Sequence, residues 1–84
     1  MRTNEQLNDV LKFPRGATVR YYPRAGYHGI GKEEGKKFLK GRVHGHTKHT
    51  RNYEGPQTIL VYFKDQNKSL RVKAYKLERI GIKA

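Results

Sequence analysis

The chain contains no cysteine. This absence excludes disulfide bonds, thiolate zinc sites and cysteine nucleophiles. Long apolar runs are also missing, because no stretch approaches the roughly 18 consecutive apolar residues of a membrane span. The N-terminal segment MRTNEQLNDVLKF lacks the apolar centre of a secretory signal. We therefore expect no membrane partner and a cytoplasmic location, with nucleoid-associated and nuclear locations left open.

Acidic residues are scarce as well. Seven Asp or Glu stand against 19 Lys or Arg in 84 residues, which gives a formal net charge of +12. An imbalance of this size opposes compaction unless a partner or counterions offset it. Nucleic acid is the commonest partner of a compact basic domain, followed by an acidic protein surface and an anionic membrane. A chain this short also buries little apolar material, so we expect one domain over residues 1–84 and surface binding.

A short N-terminal helix is predicted from Asn4 to Lys12. Thr3 and Gln6 have the spacing of a capping box, and Pro14 disfavours further helix. Between Gln6 and Pro14, apolar residues recur at helical spacing on one face: Leu7, Val10 and Leu11. We expect residues 1–14 to form this helical segment and residues 15–82 to form the rest of the domain.

The remainder of the chain alternates apolar and polar residues in the manner of β-strands. The segment from Thr58 to Lys64, TILVYFK, is the strongest strand and should be central. Gly41 indicates a bulge or bend in its strand, and Ala74–Tyr75–Lys76 suits one 3-10 turn. Two long loops, PRAGYHGIGKEEG and GHTKHTRNYEGPQ, and a hairpin turn, DQNK, connect the strands. The other predicted strands are Ala17 to Tyr22, Phe38 to His44, Ser69 to Lys73 and Leu77 to Ile82.

This layout resembles the SH3-like small β-barrel. The resemblance covers roughly Arg15 to Ile82 and is carried by RGATVRYYP, KGRV, ILVYF, SLRV and AYKLERI. It implies a mainly β, five-stranded barrel with a short N-terminal helix and a 3-10 turn before the last strand. This group of folds includes KOW and Tudor-type modules, chromatin-type DNA-binding barrels and a basic subunit of photosystem I, so the fold does not choose the function. No acidic residue is evident beside the clustered tyrosines, which leaves a methyl-lysine cage unsupported.

A positive stripe is the sharpest local signal. The segment KKFLKGRVHGHTKHTR holds six Lys or Arg, three His and no acid. If phosphates bind along this stripe, each neutralised phosphate releases counterions. The alternative is that the stripe is an ordinary charged surface exposed to solvent. The proposed phosphate contacts are Arg20, Arg24, Lys32, Lys36, Lys37, Lys40, Arg42, Lys48 and Arg51. A second patch surrounds the hairpin at Lys64, Lys68, Arg71 and Lys73.

Tyrosines and histidines are expected to assist these contacts. Tyr27 and Tyr53 lie among cations in the two long loops, where aromatic rings can stack on bases, although they could equally be structural, as could Tyr22. We assign Tyr21, Tyr62 and Tyr75 to the structure or its rim. The stripe also contains three imidazoles that can contact phosphates, more strongly when protonated at mildly acidic pH: His44, His46 and His49.

Metal and catalytic alternatives are weaker. The spacing H-x-H-x-x-H, with His28 as a fourth ligand, could converge on Zn²⁺, but cationic surroundings penalise a bound cation. The glycines of the first long loop form neither phosphate-loop motif, and Glu33 and Glu34 would point to opposite sides of an extended chain. We therefore expect no metal, no cofactor and no catalytic residue.

The sequence thus predicts a non-enzymatic protein that binds nucleic acid through phosphates with little sequence preference. Duplex DNA is favoured, and RNA needs nearly the same residues. The alternative is a protein-interaction module that docks on an acidic protein or ribonucleoprotein of a transcription, translation or electron-transfer complex. Oligomeric state is left open.

Overall fold

The computed structural model of the chain describes residues 4–32, 37–46 and 57–82. Helix α1 spans Asn4–Lys12, which confirms the predicted bounds. The strands are β1 Ala17–Tyr21, β2 Leu39–His46, β3 Thr58–Phe63, β4 Lys68–Lys73 and β5 Leu77–Ile82.

Short 3-10 turns connect these elements in the part of the chain that the structure describes. One lies inside the first predicted loop at Tyr27–Gly29, one follows β3 at Lys64–Gln66, and one precedes β5 at Ala74–Lys76. The last confirms the predicted turn. The first is not predicted, and it depends on His28 and Gly29, whose positive φ values of 59° and 77° turn the chain back on itself.

The strands form one antiparallel sheet in the order β4-β3-β2-β1-β5. This sheet and helix α1 confirm the mainly β prediction, and β3 and β4 form the predicted hairpin. The sheet has two edges, β4 and β5, and among the described residues no strand pairing joins them. The closure of a barrel is therefore not confirmed.

The core lies on one side of this sheet. Alternate residues of β3 are buried, with Ile59 and Val61 both inaccessible to solvent, because successive side chains of a strand point to opposite faces. Residues outside the strands complete the core from the end of α1 and from the turn before β5. The buried cluster consists of Phe13, Ala17, Val19, Val43, Ile59, Val61, Phe63, Val72, Ala74 and Leu77.

The irregularity in β2 is not at Gly41, where the sequence predicts it. The pairing of β2 with β3 shifts register between Val43 and Gly45. Gly41 instead allows a close approach, since a Cβ atom there would lie 2.6 Å from Val61 Cγ1 and 2.9 Å from the Tyr62 carbonyl oxygen. Strand β2 continues past this shift to His46, two residues beyond its predicted end.

Helix α1 does not bury the apolar face that its spacing suggests. Leu7 is 46% exposed and Leu11 is 74% exposed, whereas Gln6 is 2% exposed. Phe13, directly after the helix, is 1% exposed and belongs to the core. Because Phe13 is the large apolar anchor, the helix meets the domain through its C-terminal end and its Gln6 side.

Candidate nucleic-acid interface

The side of the sheet opposite the core carries a row of cations on β1 and β2. Lys40 and Arg42 alternate with buried Gly41 and Val43, so both point away from the core and are exposed. The strand register sets Arg20 of β1 opposite Lys40. We call this side of β1 to β4 the outer face.

Strand β4 extends the same surface. Arg42 of β2 is opposite Tyr62 of β3. Leu60, two residues before Tyr62 on β3, is opposite Arg71 of β4. Residues two apart on a strand share a face, so Arg71 and Lys73 lie on the outer face with Arg42. Arg71 and Lys73 of the second predicted patch thus share a face with Lys40 and Arg42 of the first. Lys68 is opposite the buried Phe63, which places it on the other side of the sheet.

A groove of about 630 Å³ runs over the middle of the outer face. Its walls come from three strands and from the turn after β3, and they combine three cations with one carboxylate and two rings. Among the described residues no carboxylate forms an ion pair with Lys40 or Arg42. The lining residues are Thr18, Lys40, Gly41, Arg42, His44, Tyr62, Lys64 and Asp65.

Two aromatic rings are stacked at this groove. The His44 and Tyr62 rings are nearly parallel, with an interplanar angle of 12° and centroids 5.1 Å apart. The Tyr62 hydroxyl donates a hydrogen bond to Asn67 Oδ1 at 3.0 Å, which helps to orient the Tyr62 ring. His44 is exposed above it. The sequence assigns Tyr62 to structure, and only the pairing of β2 with β3 reveals its contact with His44.

Arg20 is partly engaged within the protein. Its guanidinium lies 3.3 Å from the Glu78 carboxylate and 4.8 Å from the centroid of the Phe38 ring. The Tyr22 hydroxyl also donates to Glu78 at 3.3 Å, so an acidic residue does lie beside a tyrosine. The sequence misses this group because Glu78 is distant along the chain. Tyr22 is buried, which favours its structural reading.

His46 contacts the end of α1. Its Nε2 atom lies 2.6 Å from the Phe13 carbonyl oxygen, and because a carbonyl only accepts, the imidazole is the donor. The register shift between Val43 and Gly45 separates His46 from the alternation that places His44 on the outer face. His46 therefore ties the end of β2 to the end of α1.

Lys32 is half-buried beside β5. Its ammonium group donates a hydrogen bond to the Leu77 carbonyl oxygen. Burial lowers its pKa, the positive charge of Lys12 lowers it further, and the negative charge of Glu78 acts in the opposite direction. Lys32 thus has an intramolecular partner, in contrast to the exposed Lys40.

The other predicted contacts in the first loop lie apart from the groove. Tyr27 is 59% exposed, and its ring centroid is 5.3 Å from that of Tyr75, in the turn between β4 and β5. Arg24 and Lys37 are exposed and do not line the groove. Five predicted contacts lie outside the described residues: Lys36, Lys48, His49, Arg51 and Tyr53.

Neither a metal centre nor a membrane helix is seen in residues 4–32, 37–46 and 57–82. No group of three or more His, Asp or Glu side chains in these ranges could hold a metal ion. No helix in them is long and apolar enough to cross a membrane. Comparison of the chain with protein-family models, with curated proteins and with solved structures finds no match.

Proposed function

We propose that this protein is a non-enzymatic nucleic-acid-binding protein that contacts the phosphates of duplex DNA through its outer face, with little sequence preference. The observation that carries the proposal is that exposed cations of β2 and β4, Lys40, Arg42 and Arg71, share the outer face. Phosphate contacts supply most of the affinity of such binding and carry no base information. RNA phosphates would meet the same residues. The proposed compartment is the cytoplasm, including the nucleoid, or the nucleus, because nucleic acid is found there.

The placement of the cations supports this proposal. Lys40 and Arg42 are two residues apart on one strand, a separation of about 6–7 Å, and both are exposed. Arg71 extends the positive surface two strands away. Arg is well suited to phosphate because its planar guanidinium can donate two parallel hydrogen bonds. The chain's net charge of +12 adds long-range attraction for a polyanion.

We predict that Lys40→Glu/Arg42→Glu weakens binding of duplex DNA by at least about tenfold at low salt. If the wild-type protein neutralises three to five phosphates, the slope of log affinity against log salt is about −3 to −5, and the variant should lose roughly two units of slope. Fluorescence anisotropy with labelled duplex DNA at several salt concentrations measures both quantities.

The matched control is Arg15→Glu/Arg79→Glu, which makes the same change of charge at exposed residues that do not line the groove. It should retain most of the affinity. An equal loss in both variants would show that net charge alone attracts the DNA and would reject the outer face as the site. A partner from cell lysate that stays bound after nuclease treatment would favour the protein-interaction alternative.

We further propose that the sheet is the curved sheet of an SH3-like small barrel. The strand order, the register shift in β2 and the 3-10 turn between β4 and β5 support this fold. All five strands contribute to one core, as they would in a sheet that curls around it. Nuclear Overhauser contacts between the backbones of β4 and β5 would demonstrate closure, and a sheet without them would reject the barrel.

A further inference from the structure

The groove on the outer face is not built for phosphate alone. Lys40, Arg42 and Lys64 line it and favour an anion, but the Asp65 carboxylate lines the same space. A carboxylate repels phosphate and accepts hydrogen bonds. A ligand that matches all four groups must therefore combine negative charge with hydrogen-bond donors.

The stacked rings add a flat surface to this mixed chemistry. His44 covers Tyr62 nearly parallel to it and is itself exposed. The Tyr62 hydroxyl donates a hydrogen bond to Asn67, which helps to orient the Tyr62 ring without a ligand. Exposed rings next to a positively charged groove are the arrangement that binds unpaired bases by stacking.

We propose that the groove accepts one unpaired nucleotide, with its base stacked on His44, its phosphate at the cations that line the groove, and its Watson–Crick edge hydrogen-bonded to Asp65. The groove volume of about 630 Å³ lies within the roughly 300–1,000 Å³ of small-molecule sites. This inference rests on the proposed function and adds a base preference to it.

Guanine fits the Asp65 carboxylate better than the other bases. Its N1–H and N2–H₂ donors lie side by side on one edge and can meet the two carboxylate oxygens. Thymine and uracil offer a single donor on that edge, and adenine and cytosine offer only their amino groups. In a duplex this edge of guanine is occupied by cytosine, so the preference is confined to unpaired nucleotides and is compatible with duplex binding that ignores sequence.

The test uses the full chain and short thymidine strands that carry one central guanine, adenine, cytosine or thymine. We expect the guanine strand to bind the wild-type protein at least about fivefold more tightly than the adenine strand. Asp65→Asn should abolish this preference without weakening the thymine strand. His44→Ala should weaken the guanine strand by about tenfold, whereas His44→Phe, which keeps a flat ring, should retain most of the affinity.

Glu78→Gln is the matched control, because it removes one carboxylate outside the groove and should keep the guanine preference. Equal binding of the four strands by the wild-type protein, or a preference that persists in Asp65→Asn, would overturn this inference and leave phosphate binding intact. Failure of the strands and of duplex DNA to bind at low salt would overturn the proposed function as well.

Discussion

At the scale of single residues, location decides what a cation can do. Lys40 and Lys32 are chemically identical, but Lys40 is exposed on the outer face and Lys32 is half-buried against the Leu77 carbonyl. A lysine that leaves water loses solvation in its charged form, which lowers its pKa. Lys32 is thus poorly suited to capture phosphate, although the sequence groups it with the other loop cations.

The pKa of Lys32 predicts a pH dependence of stability. The pKa of Lys32 is lower in the folded protein than in the unfolded chain. At alkaline pH values between these two pKa values, the unfolded chain therefore binds more protons than the folded protein does. The free energy of unfolding contributed by this group therefore rises with pH in that interval. Relative to Lys32→Met, the wild-type protein should gain stability as pH increases from neutral into this interval, as measured by urea unfolding.

Lys37→Met provides the control for this measurement, since it removes the same charge from an exposed lysine. The two variants should therefore diverge in their pH dependence. Identical stability curves for Lys32→Met and Lys37→Met across the alkaline range would contradict a specific role of burial at Lys32.

At the scale of elements, β2 determines both the core and the outer face. Its buried residues pack against β3, and its exposed residues line the groove. The close approach of the two strands at Gly41 maintains this arrangement, because any Cβ atom there would meet the Val61 side chain and the Tyr62 backbone. A side chain at Gly41 would therefore disturb both the packing of β2 against β3 and the groove, which Gly41 also lines.

We predict that Gly41→Ala destabilises the protein by about 1–3 kcal/mol, the range for overpacking a well-packed core. Gly45→Ala in the same strand is the control, since a Cβ atom there has nothing within 4 Å. It should change stability by less than about 1 kcal/mol in either direction. Thermal unfolding followed by circular dichroism compares the two, and equal stabilities would show that β2 and β3 separate at little cost.

At the scale of the whole molecule, the net charge of +12 dominates the long-range electrostatic interactions. It attracts a polyanion and at the same time opposes the compact state of the free protein. Salt screens both effects, since the Debye length falls from about 10 Å at 0.1 M to about 3 Å at 1 M. Binding and folding should therefore respond to salt in opposite directions.

The free protein should become more stable as sodium chloride rises from low to molar concentration. A gain of about 1 kcal/mol would raise Tm by about 4–8 °C in a domain of this size. Replacing the cations of the groove by Lys40→Gln/Arg42→Gln should reduce this gain, because less repulsion remains to be screened. Differential scanning calorimetry measures both proteins, and a Tm that falls with added salt would contradict self-repulsion.

The sequence alone determined the helix and the strands of this protein, because their signals are local. Pro14 and the spacing before it bound α1, the alternation of TILVYFK defines β3, and DQNK marks the hairpin turn. The excess of Lys and Arg is equally visible without coordinates. These features depend on the backbone preferences and side-chain chemistry of neighbouring residues.

Only the tertiary structure decided which distant residues meet. The register of β2 and β3 stacks His44 on Tyr62, and the β1–β5 pairing brings Glu78 to Arg20. The same non-local packing draws His46 to the Phe13 carbonyl. Each contact depends on which strands are neighbours and on a shift of one residue in their pairing, and such a shift reverses the face of every side chain beyond it. The local pattern of β2 does not show where this shift occurs.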